Sequence, residues 1–322
     1  MRPPEFWRGR RASWPAPMLE LLLTPASWLY AAAAARRQQK PGLRLPIPVI
    51  SVGGATVGGS GKTPAARAVR ARLSAMGLIS ATLSRGHGGA QTGPLQVDPA
   101  RHTARDVGDE PLLHASDGPA WIARDRARGG LAAVAAGAQV LVLDDAHQNP
   151  ALVKDLRLLV LDGAEGLGNG RVLPAGPLRE PLGHALERAD CILAPLGAAL
   201  PATEKPVLRT RLAAPHPAPS GPLLAFAGIA FPERFAESLR QAGGEVLDLA
   251  PFPDHHPFSN ADLRLLERMA QERGARLVTT EKDHARLTRE WRARAACFGV
   301  RLEFEQPERL DRLLGAALER AP

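Results

Sequence analysis

The chain has 322 residues, enough for about two domains at roughly 150 residues each, and its 45% hydrophobic content excludes global disorder and collagen-like repeats. Lys+Arg 41 against Asp+Glu 33 gives a formal net charge of +8, which suits a polyanionic partner: nucleic acid, nucleotide phosphate or an acidic membrane face. Aromatic residues make up 4%, too few for single-stranded nucleic-acid stacking platforms, and Cys191 and Cys297 form neither a CxxC zinc motif nor a disulfide framework, as in a reducing compartment.

The first forty residues are lopsided in charge. Arg2, Arg8, Arg10, Arg11, Arg36, Arg37 and Lys40 face Glu5 and Glu20, and between the basic groups residues 18–35 are largely apolar and contain Trp28 and Tyr30. Glu20 and Pro25 interrupt the run, so it offers no clean stretch of about 20 apolar residues for a membrane span. Thr24-Pro25 reads as an N-cap followed by proline at the first helical position, which predicts a helix over about 26–37. An apolar helix with Trp and Tyr, ended by arginines, can lie in the headgroup region of an anionic bilayer. A core helix and a cleaved signal peptide compete with that reading. The signal peptide fails if an ATP site follows, because exported proteins do not ordinarily meet ATP.

Residues 46–52 form a short apolar run that ends in Gly53-Gly54-Ala55-Thr56-Val57-Gly58-Gly59-Ser60-Gly61-Lys62-Thr63. Residues 64–73 then read as a helix, with Val69, Leu73 and Met76 on one face and Gly77 as its stop. Strand, glycine loop, helix is the context that a phosphate-binding loop requires. Glycines let backbone N–H groups curl around phosphate oxygens, and the helix N-terminus adds its positive end. The nucleotide-binding candidates are therefore Thr56, Val57, Gly58, Gly59, Ser60, Gly61, Lys62 and Thr63. Lys62 would bridge the β- and γ-phosphates and the Thr63 hydroxyl would ligate magnesium. One position departs from G-x-x-x-x-G-K-[ST]: Thr56 stands in the first glycine slot.

A second apolar run, 78–83, leads into Leu83-Ser84-Arg85-Gly86-His87-Gly88-Gly89. Arg85 is there either a contact for an anionic substrate group or a plain surface arginine. Val107-Gly108-Asp109-Glu110-Pro111 supplies an acidic pair, which in a kinase gives a general base or a second metal contact. After an Ala-rich helical stretch at 131–138 comes Gln139-Val140-Leu141-Val142-Leu143-Asp144-Asp145. Such a continuous apolar run is a strand buried on both faces, and its two carboxylates lie at the end where open α/β sheets bind ligands.

Residues 168–181, dense in Gly and Pro, read as an ordered loop whose purpose bare chemistry does not reveal. Residues 195–222 are Pro/Ala-rich, with 207–212 the strand-like piece, and read as an inter-domain connector. Alternation then resumes as strand 223–227, helix 232–243, strand 245–249, helix 260–273, strand 276–280, helix 285–295 and strand 300–304, a second small α/β layer. Within it, Phe252-Pro253-Asp254-His255-His256-Pro257-Phe258 reads as an acid–base or substrate-contact group, a metal site or a polar loop. Thr279-Thr280-Glu281-Lys282-Asp283-His284 reads as a strand-end charge cluster or as a helix N-terminus with acidic complements to its dipole.

Taken together and in this order, GGATVGGSGKTP, LSRGHGG, VGDEP, LVLDD, GNGRVLPAGPLREP, FPDHHPF and TTEKD closely resemble the tetraacyldisaccharide 4'-kinase family of lipid A biosynthesis, from about residue 15 to 290. Thr at the first glycine position is also that family's habit. The resemblance implies an α/β fold: a P-loop NTPase-like α/β/α sandwich with a second, smaller α/β domain and an N-terminal membrane-surface helix. The division would be 1–40 for the helix segment, 41–204 for the kinase domain, 205–222 for a linker and 223–322 for the C-terminal domain. It implies ATP and Mg2+ as cofactors, and transfer of the γ-phosphoryl of ATP to the 4'-hydroxyl of a tetraacyldisaccharide 1-phosphate, giving lipid IVA. It further implies attachment to the anionic cytoplasmic face of the inner membrane. The low aromatic content and the absence of basic runs outside the N-terminus disfavour nucleic acid, and no obligate protein partner is evident. By this resemblance Lys62 and Thr63 take nucleotide and metal, and Glu110, Asp144 and Asp145 complete the metal environment. Asp109 would be the base, assisted by His255. Arg85, Arg126, Gln148, Asn169 and Arg171 would lie near substrate or the transferring phosphate. One departure stands out: the family continues its magnesium motif as Asp-Asp-Gly-Phe-Gln-His, whereas this chain reads Asp144-Asp145-Ala146-His147-Gln148-Asn149, with His147 as the neighbouring imidazole that would compensate.

Overall fold

The structure, a computed structural model, describes residues 4–7, 16–58, 61–162 and 166–320; Gly59 and Ser60, both candidates for nucleotide contact, lie outside the described residues. In chain order the strands are β1 (Val49–Gly54), β2 (Ser80–Ser84), β3 (Leu95–Gln96), β4 (Ala120–Ile122), β5 (Val140–Asp144), β6 (Leu156–Val160), β7 (Cys191–Pro195), β8 (Val207–Ala213), β9 (Pro222–Ala227), β10 (Glu245–Pro251), β11 (Arg276–Thr280), β12 (Ala296–Phe298) and β13 (Arg301–Phe304). Among the described residues they make two sheets, β13-β8-β7-β6-β1-β5-β2-β4-β3 and β10-β9-β11-β12.

The apolar runs form strands because both faces of the large sheet are covered. Helices Lys62–Ala75 and Pro307–Arg320 pack Leu73, Leu310 and Leu314 on Ile50, Val142 and Leu158 from one side. Helix Arg126–Ala135 packs Ala133 on Leu83, Leu141 and Leu143 from the other. Each such aliphatic side chain gains about 1.5–3 kcal/mol over an exposed one. β1 pairs in parallel with both β5 and β6, neither its neighbour in sequence, so the chain crosses over on both sides of it. A crevice therefore opens at its C-terminal end, and the register sets Val52 opposite Asp144. The glycine loop and the two carboxylates thus emerge side by side.

Several expectations are corrected. The connector strand, β8, is part of the large sheet, and strand β13 pairs antiparallel with β8 instead of extending the small sheet. The helix Pro307–Arg320, which the pattern did not mark, seals the large lobe's core, so the C-terminal unit expected over 223–322 gives up its last segment to the first lobe. The helix expected over 285–295 is two short ones, Glu281–Arg286 and Arg289–Arg294.

The N-terminal helix also differs. It runs from Ala16 to Gln38 straight through Pro25, and the Thr24 hydroxyl donates to the Glu20 carbonyl one turn back (2.7 Å) instead of capping anything. By length and composition it is long enough to cross a bilayer, with Glu20 and Pro25 still interrupting its apolar run. Glu20, Thr24, Ser27 and Gln38 face the protein. Glu20 and Thr24 each accept a bond from Arg171 (3.1 Å), Ser27 donates to the Val172 carbonyl (2.8 Å), and Gln38 donates to Glu180 (3.1 Å). Its large apolar residues face outward, with Leu21, Trp28 and Leu29 at 72%, 70% and 75% exposure. A water-facing surface helix is built the other way round, and a core helix would bury these side chains.

Candidate active site

β1 delivers the chain to a loop that is zipped at its base to residues 177–179. The Val57 N–H donates to the Pro177 carbonyl (2.9 Å), the Arg179 N–H donates to the Ala55 carbonyl (2.9 Å), and Thr56 bridges Leu178. That bridge explains the departure at the first glycine slot: an extended, paired residue needs no left-handed backbone, and a β-branched one suits it. Gly58 and Gly61 do need it, at φ 106° and 79°. Gly61 starts the helix Lys62–Ala75. The Lys62 ammonium donates to the Gly58 carbonyl (2.9 Å) and lies 3.9 Å from Asp145. Burial lowers its pKa, against the pull of Asp145.

Asp144 closes β5 almost wholly buried, at 2% exposure. Its Oδ2 accepts from the Thr63 hydroxyl (3.0 Å) and sits 2.8 Å from His114 Nε2. Its Oδ1 is buried without a hydrogen-bond partner among the described residues. Burial works against its charge, but the bonds to His114 and Thr63 outweigh that and keep its pKa low. Asp145 is gripped by Arg179 through both oxygens (2.8 and 2.8 Å).

Opposite these groups stands Asp109, first residue of the helix Asp109–Ser116. Gly108 before it has φ 89°, and a Cβ there would meet the His87 carbonyl at 2.4 Å, so the RGHGG loop seats the start of this helix. The second lobe reaches across to it. His255 Nδ1 lies 3.2 Å from Asp109 Oδ2, while His255 Nε2 accepts from Lys282 (3.3 Å). Arg286 donates to the same Asp109 oxygen through Nε (2.9 Å) and Nη2. Burial would raise the Asp109 carboxyl, but the His255 bond and the Lys282 and Arg286 cations hold it well below the usual carboxylate range. Glu110 pairs with Lys282 (3.4 Å), and its pKa is raised by burial and by Asp144 and Asp109 despite that cation. Among the described residues, the non-glycine residues with positive φ are Asp145 (54°) and His255 (60°). That conformation costs about 1–3 kcal/mol and tends to persist at functional sites.

The other candidates fall into separate groups. Arg85, exposed, follows the end of β2, and Arg126, buried, opens the helix Arg126–Ala135 after the neighbouring strand β4; burial together with Arg85 lowers the Arg126 pKa to about 10. Gln148 bonds the Gly54 carbonyl (3.0 Å) and Glu180 (3.0 Å). Asn169 braces its own loop, donating to the Ala175 carbonyl (2.8 Å) and accepting from the Arg171 N–H (3.1 Å). Arg171 holds the N-terminal helix, as above. His147 does not stand in for the family's histidine: it is buried, its Nε2 is 3.0 Å from the Ala185 carbonyl, and burial lowers its pKa to about 4. Asn149 turns its Oδ1 back to the Ala151 N–H (2.9 Å). Lys154 pins this turn from inside through the carbonyls of Ala146 and Asn149 (2.7 and 2.6 Å). His114, Arg179, Glu180 and Arg286 were missed. Arg179 and Glu180 lie inside the unexplained Gly/Pro loop, but nothing local marks His114 or Arg286.

Among the described residues no three His, Cys, Asp or Glu side chains converge on a point. A nucleotide-bound magnesium does not ask for that, since it keeps waters and phosphate oxygens and takes one or two protein ligands. The orphaned Oδ1 of Asp144 beside the Thr63 hydroxyl, with Asp145 and Glu110 nearby, fits that demand.

Water is enough of a reaction partner for a nucleotide switch. A second lobe that carries an imidazole to a buried aspartate beside the phosphate loop is the construction of a P-loop kinase. The family model for tetraacyldisaccharide-1-P 4'-kinase matches residues 19–319. Tetraacyldisaccharide 4'-kinases of Hyphomonas neptunium and Rhodospirillum centenum are 47% and 50% identical, covering 100% and 99% of this chain and 99% and 97% of theirs. A solved structure of LpxK from Aquifex aeolicus, described as an "apo" form in complex with ATP, superposes with a TM-score of 0.77 at 28% identity, over 94% of this chain and 100% of that one. The chain belongs to the tetraacyldisaccharide 4'-kinase family, ATP-dependent kinases of lipid A biosynthesis.

Proposed function

We propose that this chain phosphorylates the 4'-hydroxyl of a membrane-held tetraacyldisaccharide 1-phosphate, with Asp109 as the base and the glycine loop as the ATP site. The observation that carries the reading is the Asp109–His255 pair, which exists only because the two lobes meet beside Lys62, Asp144 and Asp145. Backbone N–H groups of residues 58 and 61–63 would cradle the phosphates, and Lys62 would neutralise the β- and γ-oxygens. Thr63 and Asp144 would hold magnesium, with Asp145 and Glu110 completing its surroundings; the metal supplies further charge neutralisation at the transferring group.

Asp109 is a carboxylate held by His255 and Arg286, and any carboxylate is a far weaker base than the alkoxide it would have to form. So weak a base does not strip a sugar hydroxyl in advance; it orients the O–H and takes the proton as bond-making advances. A loose phosphoryl-transfer transition state asks no more. His255 shares that carboxylate and holds it in place. Arg85, after β2, and Arg126, at the start of the helix after β4, supply positive potential for the anionic substrate. Arg171, Asn169 and Gln148 shape the wall between the site and the N-terminal helix.

The outward apolar face of that helix, ending in Arg36 and Arg37, supports seating on the anionic cytoplasmic face of the inner membrane. Its acceptor never has to leave the bilayer. Asp109→Asn tests the base: kcat falls about 10²–10⁴-fold while ATP-analogue affinity stays near wild type, and the unfolding temperature drops because the buried Arg286 guanidinium loses a charged partner. His255→Gln gives a smaller loss of the same kind. An Asp109→Asn enzyme with wild-type kcat removes Asp109 from this role.

A further inference from the structure

The Gly/Pro-rich segment around residues 176–181 has more partners than a connecting loop needs. Its backbone zips to the base of the phosphate loop, and Arg179 clasps Asp145. The next residue, Glu180, is buried at 2% exposure and accepts bonds from three side chains. They are Gln38 at the end of the N-terminal helix (3.1 Å), Gln148 in the turn after Asp145 (3.0 Å), and Arg188 (2.6 Å to each oxygen). Gln148 reaches on from Glu180 to the Gly54 carbonyl, the last residue of β1 (3.0 Å).

We propose that Glu180 is a positioning residue that locks the Asp145–Gln148 turn to the end of the N-terminal helix, coupling the docking of that helix to the affinity for metal-bound nucleotide. The inference rests on the reading of Asp145 as part of the metal environment. The turn needs outside restraint, because Asp145 sits at φ 54°, a conformation that persists only where its surroundings impose it. Arg179 restrains its carboxylate and Glu180, through Gln148, restrains the far end of the turn. One buried carboxylate serves Gln38 and Gln148 together, so a shift of the helix end is felt at the turn. Burial opposes the charge on Glu180, but Arg188, Gln38 and Gln148 more than offset it and keep it ionised. The coupling is reciprocal: whatever steadies the helix tightens metal–nucleotide binding, and the reverse.

Binding of a fluorescent ATP analogue to the full-length chain, with and without Mg2+, tests this, with thermal unfolding as the control. Glu180→Gln, which acts on the turn through Gln148, reduces the affinity gained on adding Mg2+ by up to about tenfold, the low end of the cost of losing a group bonded directly to a metal ligand, and leaves the metal-free affinity unchanged. Gln38→Ala, which lies on the helix and touches no nucleotide, gives a smaller loss in the same direction; it decides the matter if Glu180→Gln does not fold. A Glu180→Gln protein that keeps the full Mg2+ gain, or loses affinity equally with and without Mg2+, overturns the proposal. Asp145→Asn separates the two levels. If that variant keeps the Mg2+ gain, the metal reading of Asp145 fails; if it loses the gain while Glu180→Gln keeps it, only the positioning role fails.

Discussion

Replacing Lys62 with Ala lowers phosphoryl transfer by at least about 10²-fold, the scale on which one preorganised donor to a developing charge acts, with thermal unfolding close to wild type. The ammonium donates to the Gly58 carbonyl and stands 3.9 Å from Asp145. Burial lowers its pKa, so its charge is disfavoured in the resting site and is most strongly satisfied when phosphate oxygens arrive. The part of this interaction that grows as negative charge builds on the β–γ bridging oxygen in the transition state is what raises kcat. Lys62→Arg does not restore the rate, because a planar fork cannot take the place of a compact point charge inside so tight a loop. Transfer rate, analogue binding and unfolding measured on both variants check this; near-normal transfer by Lys62→Ala would remove the phosphate loop from the chemistry.

The second large effect concerns the helix Ala16–Gln38. Leu21→Glu, Leu22→Glu and Leu29→Glu combined abolish sedimentation with anionic phospholipid vesicles and cut turnover on a lipid acceptor in vesicles. ATP-analogue affinity stays at the wild-type value. All three side chains are exposed, and none belongs to the docked set of Glu20, Thr24, Ser27 and Gln38, so the fold loses nothing. Each forfeits about 1.5–3 kcal/mol of apolar burial, so together they weaken association by at least about a thousandfold. Unchanged vesicle binding would mean that the apolar face meets something other than lipid.

What could be read from the sequence was what neighbouring residues accomplish together. A glycine loop between strand and helix, and a buried strand ending in Asp144-Asp145, are local by their chemistry, so the phosphate end of the site was visible. Asp109 and His255 become a pair through lobe packing that no spacing encodes, and their link came from family resemblance. Arg286 and His114 act on Asp109 and Asp144 from other elements, with no local signal. Arg179 and Glu180 were in view but unreadable, because their partners lie in the turn after β5, the N-terminal helix and the helix that follows them. At the N-terminus the local signal pointed the wrong way: Thr24-Pro25 looks like a helix start, yet docking through Glu20, Thr24 and Ser27 carries the helix through it. β13 shows the same limit, since periodicity marks a strand but does not say which sheet it joins.

The most direct measurement incubates the purified full-length protein with γ-labelled ATP, Mg2+ and a tetraacyldisaccharide 1-phosphate in mixed micelles, then separates lipid from inorganic phosphate. The expected result is label in the lipid at its 4'-position, absent without Mg2+ and reduced at least about 10²-fold in Lys62→Ala. Label recovered wholly as inorganic phosphate, at a rate indifferent to the lipid, would contradict a kinase and leave an ATPase in its place.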